Sequence, residues 1–356
     1  MGVAKHRAID HLRRRQRLEQ KHAALAYEST LAQAQPDFET ALDDDVDDDM
    51  LRLMFIACHP ALPAEARVAL TLRLIGGLTT AEIARAFVVP EPTIAQRLVR
   101  AKRTLAAKKV PYEMPRGADR TARVGSVLEV IYLIFNEGYT ATAGDRWIRA
   151  ELCEDALRLA RMLAALAPTE AEALGLAALL EIQASRLRAR ISHTGEPVLL
   201  ADQNRSLWDP LLIRRGLAAL AQAERLAPAR GAYTTQAAIA ACHARATSVA
   251  DTDWRRIVAL YGDLLAVAPS PIVQLNRAVA VGMADGPQAA LELIDALRDE
   301  PALERYHLLP AVRADLLVKL GRTDEARREF ERAAALTTNE AERQLLMRRA
   351  RSISRS

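Results

Sequence analysis

The sequence predicts an all-α protein. Half of its 356 residues are hydrophobic, only 4 % are aromatic, and glycine (15) and proline (16) are sparse. Long stretches rich in Ala, Leu, Arg and Glu place apolar residues at helical spacing, and no convincing alternating Val/Ile/Thr run indicates a strand. A chain of this length holds two or three domains with buried cores.

The composition also limits the class of function. Cys58, Cys153 and Cys242 are far apart and lack metal-ligand spacing, which favours a reducing cytosol over a disulfide framework. No apolar run approaches the roughly 18 residues of a membrane span, and the N-terminus is charged where a signal peptide would be apolar. The sequence shows no nucleophile–base pair, phosphate-binding glycine loop or metal cluster. We therefore expect a cytoplasmic protein that is not an enzyme and has no cofactor, metal or membrane partner.

Charged residues occur in blocks, although the net charge is only +4. Residues 1–22 hold seven Lys/Arg and two carboxylates, and residues 36–49 hold eight carboxylates and no base. Residues 91–109 return to six Lys/Arg and one carboxylate. A charge run is often only a solvated face, but three alternating blocks indicate separate surfaces with separate partners.

Residues 76–105, GGLTTAEIARAFVVPEPTIAQRLVRAKRTL, predict two short helices that meet at a tight turn. Thr79 and Glu82 fit a capping box, in which a Thr hydroxyl bonds an early backbone N–H and the Glu reaches back. Pro90 ends the first helix, and Pro92 suits the first turn of the second, where its missing N–H costs nothing. This pattern is typical of a helix-turn-helix.

The second helix of this pair has an apolar face and a polar face. Ile94, Leu98 and Leu105 can pack inward. The side chains predicted to face DNA, or to extend its charge toward the helix end, are Thr93, Gln96, Arg97, Arg100, Lys102 and Arg103. A recognition helix needs this division, because Arg, Gln and Thr contact base edges and phosphates. An amphipathic helix in a bundle would look similar, but the cap, the short turn and the polar face together favour DNA binding.

The stretch that ends at Leu105, beginning ARVALTLRLIGG, resembles region 4 of bacterial sigma factors of the extracytoplasmic-function type. The resemblance covers residues 63–110 and implies that this unit binds the −35 promoter element on behalf of core RNA polymerase. It places the polar residues of the second helix at DNA-facing positions. The sequence departs from the family at Ala95, often basic, and at Gln96, more often Ser, so no promoter sequence is implied.

Residues 3–17, VAKHRAIDHLRRRQR, resemble the end of sigma region 2, and we assign residues 1–35 to it. The arginines suited to phosphate contacts are Arg7, Arg13, Arg14, Arg15 and Arg17. The alternative is a basic tail with nonspecific affinity. The resemblance implies that the rest of region 2 lies upstream and is needed for full binding of core polymerase.

Residues 36–62 contain the acidic block and are predicted to form an extended linker, because dense carboxylates repel one another. By the same resemblance, a sigma linker would run here through basic channels of the polymerase. The alternatives are a plain solvated spacer and a weak cation site. A calcium loop would need a Gly and a closing Glu at set positions, and both are missing.

Residues 119–356 are predicted to form a domain of tetratricopeptide-like helical repeats. Two prolines and a glycine in residues 108–120 mark its boundary. Successive helices end near Pro168, Pro228, Pro269 and Pro301, and three of them have matched apolar offsets, Ala156/Ala160/Leu163, Gly216/Leu220/Ala223 and Ile257/Tyr261/Leu264. The last helix pair sets Gly321, Ala326, Phe330 and Ala333 at tetratricopeptide-like spacing. Such stacks leave a concave surface that usually binds a protein or peptide, so we expect a partner protein there.

The combination resembles a sigma-factor group with a large C-terminal extension of this kind. Residues 127–142, VLEVIYLIFNEGYTAT, and residues 195–209, GEPVLLADQNRSLWD, are similar to segments of that group. Candidates for an interdomain or partner surface in these segments are Asn136, Glu137, Asp202, Gln203, Arg205 and Trp208. The alternative is that Gly138 ends a helix and that residues 201–206 form a loop between repeats.

Three functions remain open at this point. The leading interpretation is a sigma factor that directs transcription initiation, with an extension that regulates it or binds a partner. The second is a stand-alone helix-turn-helix transcriptional regulator with a tetratricopeptide-like partner-binding domain. The third is a helical-repeat scaffold with an incidental helix-turn-helix, which would lack the salt dependence of DNA binding.

Overall fold

A computed structural model describes residues 45–87, 89–110, 115, 117–193 and 195–353. Regular secondary structure in these ranges is helical, and only two isolated bridges, Gly144 with Asn339 and Ile191 with Pro197, have β-type pairing. The all-α prediction is confirmed. The chain divides into two compact units after Val130.

The first unit contains four complete helices and the start of a fifth. They are α1 (Asp45–Ala57), α2 (Ala64–Leu74), α3 (Thr80–Ala86), α4 (Glu91–Ala107) and the first part of α5 (Gly117–Tyr139). Apolar residues of every one of these helices are buried, among them Phe55, Leu72, Ile83, Ile94 and Val127. The helix-turn-helix predicted over residues 76–105 is present as α3 and α4.

The extended linker predicted over residues 36–62 is wrong for residues 45–57, which form α1. Carboxylates are favourable in the first turn of a helix because the aligned peptide dipoles leave positive charge there. After them, Leu51, Met54 and Phe55 follow at helical spacing and are almost fully buried. The apolar stripe therefore decides the conformation, and the helical unit begins before the predicted residue 63.

The boundary predicted near residue 119 also lies too early, because the first part of α5 packs within the first unit. Arg67 of α2 donates hydrogen bonds to Ser126 Oγ at 2.6 Å and to Glu129 Oε2 at 2.8 Å. Ser126 in turn donates to the carbonyl of Cys58. Val124, Val127 and Leu128 are buried on the same helix. The division between the units therefore falls inside α5 instead of in a loop.

The second unit begins with the rest of α5 and continues through ten further helices in the described ranges. They are α6 (Ala150–Leu166), α7 (Ala171–Ser185), α8 (Pro210–Leu226), α9 (Ala232–Arg245), α10 (Trp254–Val267), α11 (Pro271–Ala284), α12 (Pro287–Asp295), α13 (Leu308–Lys319), α14 (Thr323–Leu336) and α15 (Glu340–Ile353). Short 3₁₀ turns occur at Leu187–Arg190, Leu200–Asp202, Arg205–Leu207 and Pro301–Leu303. Most helices pack against the next one along the chain.

Small residues permit the close approach of these helices. A Cβ on Gly216 of α8 would lie 2.6 Å from Ile182 Cγ1 of α7, and one on Gly282 would lie 2.9 Å from the Ala290 side chain. Of the three predicted apolar triplets, all members are buried except Tyr261, which is half-buried. Glycine is thus placed where neighbouring helices touch.

Candidate nucleic-acid interface

The turn before α3 is held by the predicted capping box, which the structure confirms. The backbone N–H of Glu82 donates to Thr79 Oγ1 at 3.1 Å, and the backbone N–H of Thr79 donates to Glu82 Oε2 at 2.7 Å. Gly77 adopts a φ of +71°, a region that favours glycine. These local bonds fix where α3 begins.

Helix α4 begins at Glu91, and Pro92 occupies its first turn as predicted. Its inner face is formed by Ile94, Leu98 and Ala101, which are 1 %, 8 % and 2 % exposed. Leu105 continues this face but is only half-buried. At 3.6 residues per turn these side chains share one side of the helix, so the opposite side is left to polar residues.

The outer face of α4 presents the side chains predicted to contact DNA. Gln96, Arg100, Lys102 and Arg103 are exposed, whereas Thr93 and Arg97 are half-buried. Gln96, Arg100 and Arg103 lie directly opposite the buried face, and Lys102 lies on its flank. Within the described ranges, no carboxylate pairs with the three arginines or the lysine. These unneutralised cations are available to phosphates and base edges.

The other predicted DNA contacts, Arg7, Arg13 and Arg14 together with Arg15 and Arg17, lie outside the described residues. The same is true of residues 36–44, the first part of the predicted linker. Their predicted roles stay predictions.

Cys58 lies beside this unit's core as a structural thiol. It is fully buried, and its Sγ lies 3.2 Å from the Thr71 hydroxyl. Burial raises the pKa of this thiol to about 12, so it stays protonated and is a poor metal ligand or nucleophile.

The predicted partner surface on the second unit is not a single exposed patch. Asn136 and Asp202 are exposed, but Glu137 is buried against Arg149, which donates a hydrogen bond to its carboxylate. Trp208 is only 5 % exposed. Both side chains are thus enclosed within their own unit, and their predicted role at an interdomain or partner surface stays a prediction.

Two further candidates, Arg205 and Gln203, serve mainly internal contacts. Arg205 Nη1 donates to the carbonyl oxygens of His243 at 2.5 Å and Ala246 at 2.7 Å. Gln203 is buried and donates to the Val198 carbonyl at 3.3 Å. The sequence pattern could not show these contacts, since the partners of Arg205 lie about forty residues away.

The geometry of α3 and α4 defines a class of DNA-binding domain. Residues 52–105 match the family described as sigma-70, region 4, and the chain therefore carries a domain of this class. The match begins inside α1 and ends inside α4, consistent with a unit that starts before residue 63. Residues 123–224 match a second family, described as a family of unknown function (DUF6596).

The chain also has a relative over almost its whole length. It is 45 % identical over 345 residues to an uncharacterized protein of Rhizobium meliloti (strain 1021). The matched segment covers 96 % of this chain and 80 % of that protein. The chain belongs to the same family as that protein. Among the described helices, none is both long and apolar enough to cross a membrane.

Proposed function

We propose that the chain is an RNA polymerase sigma factor of the extracytoplasmic-function type, which binds the −35 promoter element through α4 and directs transcription initiation. The observation that carries this proposal is the outer face of α4. Gln96, Arg100 and Arg103 lie on it without carboxylate partners, on a helix whose inner face is packed. The proposal gives the chain no catalytic residues.

The second unit supports a related proposal, that it is a tetratricopeptide-like extension that regulates the sigma factor or binds a partner protein. Gly321 has a φ of +74° between α13 and α14, and Ala326, Phe330 and Ala333 are all fully buried. Small and aromatic residues at these positions are typical of paired repeat helices. The match to region 4 does not extend to this unit.

The first test measures DNA binding by the whole chain. A duplex site is selected from a random library with the wild-type protein, and its affinity is measured by fluorescence anisotropy over a range of salt concentrations. Replacing Arg97 and Arg100 with Ala should weaken binding by about 1–3 kcal/mol for each base contact that the substitution removes. It should also flatten the salt dependence, by about 0.9 in the log–log slope for each phosphate that is no longer bound.

The matched control removes two exposed arginines from the second unit, Arg214 and Arg215, and so changes the net charge equally. This variant should bind like the wild type. Equal weakening of both variants would mean that general charge, not α4, determines binding. Loss of helicity in the α4 variant would mean that its arginines support the fold.

The second test separates a sigma factor from a stand-alone regulator. The protein is added to core RNA polymerase on a template that carries the selected site. Transcription that depends on this protein supports the sigma factor. DNA binding without recruitment of core polymerase would instead support the regulator, and no salt-dependent DNA binding at all would leave only a helical scaffold.

A further inference from the structure

Three arginines of the second unit gather around aromatic rings without a carboxylate partner. We define the arginine–aromatic cluster as Tyr139, Trp147, Arg186, Arg190, Arg205, Trp208 and His243. The Arg186 and Arg205 guanidinium carbons lie 5.5 Å and 4.8 Å from the Trp208 ring centroid. That of Arg190 lies 3.5 Å from the Tyr139 ring centroid and 4.4 Å from that of Trp147.

The hydrogen bonds of these arginines go to neutral acceptors. Arg186 donates to Gln183 Oε1 at 2.6 Å and to the Tyr139 hydroxyl. Arg190 donates to the Tyr139 carbonyl and, at 3.1 Å, to the Thr140 hydroxyl. Arg205 donates to two backbone carbonyls. In the described part of the chain, none of the three forms an ion pair, and the carboxylate that acts electrostatically on Arg205, that of Asp251, makes no ion pair with it.

Burial and the neighbouring positive charges lower the pKa values of groups inside the cluster. Burial, and after it the positive charges of Arg186 and Arg205, lower the pKa of His243 to about 4. Burial lowers the pKa of Arg205 as well, and Arg186 adds to the effect. Like charges in a half-buried site repel one another more strongly than in water, so a bound anion would relieve an unfavourable energy.

Buried polar atoms without a partner occur at the same place. Trp208 Nε1, Arg186 Nε, Gln203 Oε1 and His243 Nδ1 are enclosed and make no hydrogen bond. Trp208 and Gln203 are each more than nine-tenths buried. Since a buried indole N–H is normally bonded, its free donor next to two guanidiniums indicates an acceptor that the protein itself does not supply.

We propose that Arg186, Arg205 and Trp208 bind a small molecule through an oxyanion, either a phosphate or a carboxylate group. Guanidinium groups present donors that match the geometry of both anions, and the indole N–H adds a donor that is shielded from solvent. Cation–π contacts with Trp208 hold the arginines in place between binding events. None of these three residues belongs to α4.

The chain offers a direct probe of this site. Its three tryptophans are Trp147, Trp208 and Trp254, and Trp254 lies against His243 with ring centroids 5.2 Å apart. All three therefore lie in or beside the cluster. The whole chain, labelled with ¹⁵N, gives three indole N–H signals, and Trp208→Phe identifies the one that belongs to Trp208.

The experiment titrates inorganic phosphate, pyrophosphate and succinate separately, against sodium chloride at equal ionic strength. We expect a saturable shift of the Trp208 indole signal with at least one oxyanion, and a rise in melting temperature as a ligand of the folded state requires. A response to the phosphates alone identifies a phosphorylated ligand, and a response to succinate identifies a carboxylate. A shift that chloride reproduces, or no shift, overturns the proposal.

Arg186→Gln should weaken binding of the anion that gives a response at least tenfold. Arg188→Gln is the matched control and should leave that binding unchanged. Arg188 lies two residues away, is exposed, and carries the same charge outside the cluster. Unchanged binding in Arg186→Gln would refute the assignment. If that variant does not fold, as judged by circular dichroism, the Trp208 titration of the wild-type chain decides alone.

Discussion

The strongest perturbation of the second unit is expected from Glu137→Ala. Glu137 accepts a hydrogen bond from Arg149, and the two side chains are 10 % and 5 % exposed. Glu137 Oε2 also accepts from the Thr142 hydroxyl at 2.9 Å. Arg149 also donates to the Ala143 carbonyl at 2.7 Å, a neutral acceptor that does not balance its charge. The substitution thus removes the buried carboxylate to which Arg149 donates.

Removing one partner of such a buried pair costs about 3–5 kcal/mol. Urea unfolding followed by tryptophan fluorescence measures this cost in the second unit, because all three tryptophans belong to it. With an m-value of about 3 kcal/mol per M, the midpoint should fall by about 1–2 M. The fluorescence of Trp147, two residues from Arg149, should report the change directly.

The matched control is Glu151→Ala, which breaks the neighbouring pair with Arg146. Those side chains are 50 % and 60 % exposed, so the loss should stay below about 1 kcal/mol. A double variant, Glu137→Met with Arg149→Met, should recover much of the loss, since it leaves no buried charge. If the free energy of unfolding of Glu137→Ala lies within about 1 kcal/mol of the wild-type value, the pair is not buried and the reasoning fails.

Two further predictions concern packing and pH, and urea unfolding checks both. Gly216→Ala should lower the free energy of unfolding by about 1–3 kcal/mol, because its Cβ would lie 2.6 Å from Ile182 Cγ1. Gly262→Ala, inside α10 with no atom within 4 Å of its Cβ, should instead gain about 0.5–1 kcal/mol. His243 has a pKa lowered to about 4, chiefly by burial, so the unfolded state binds more protons between about pH 4 and 6.5. Stability should therefore fall as the pH drops through that window, and His243→Gln should flatten the fall.

The sequence predicted the helix-turn-helix well because its signals are local. Thr79 and Glu82 are three residues apart, and the bonds between them form within one turn. The two faces of α4 follow from the helical repeat alone. Features of this kind need no knowledge of distant parts of the chain.

The sequence failed where a contact partner lies far along the chain or where two signals compete. Arg67 and Ser126 are 59 residues apart, so nothing local showed that α5 begins inside the first unit. In α1, carboxylate repulsion and the apolar stripe around Met54 predict opposite conformations, and burial of the stripe prevails. The alternating arginines at 186, 188 and 190 do not indicate a site by themselves, because only the fold separates the two buried or half-buried ones from exposed Arg188.

A comparison of α4 with α14 shows why its charges indicate binding. Both helices bury one apolar face and carry several arginines outside it. The arginines of α14 have carboxylates nearby: Arg327 pairs with Asp324 and Arg332 with Glu329. Such pairing is the usual state of a solvated helix surface.

Helix α4 departs from that state. Its sequence holds four basic residues and only Glu91 as an acid, at the opposite end from Arg103. Pairing at i,i+4 would have stabilised the helix, so its absence is a small cost to folding. Helix α14 shows a surface of this chain on which two arginines have carboxylate partners. The unpaired charges of α4 therefore support a polyanion partner, and in a sigma-70 region 4 domain that partner is DNA.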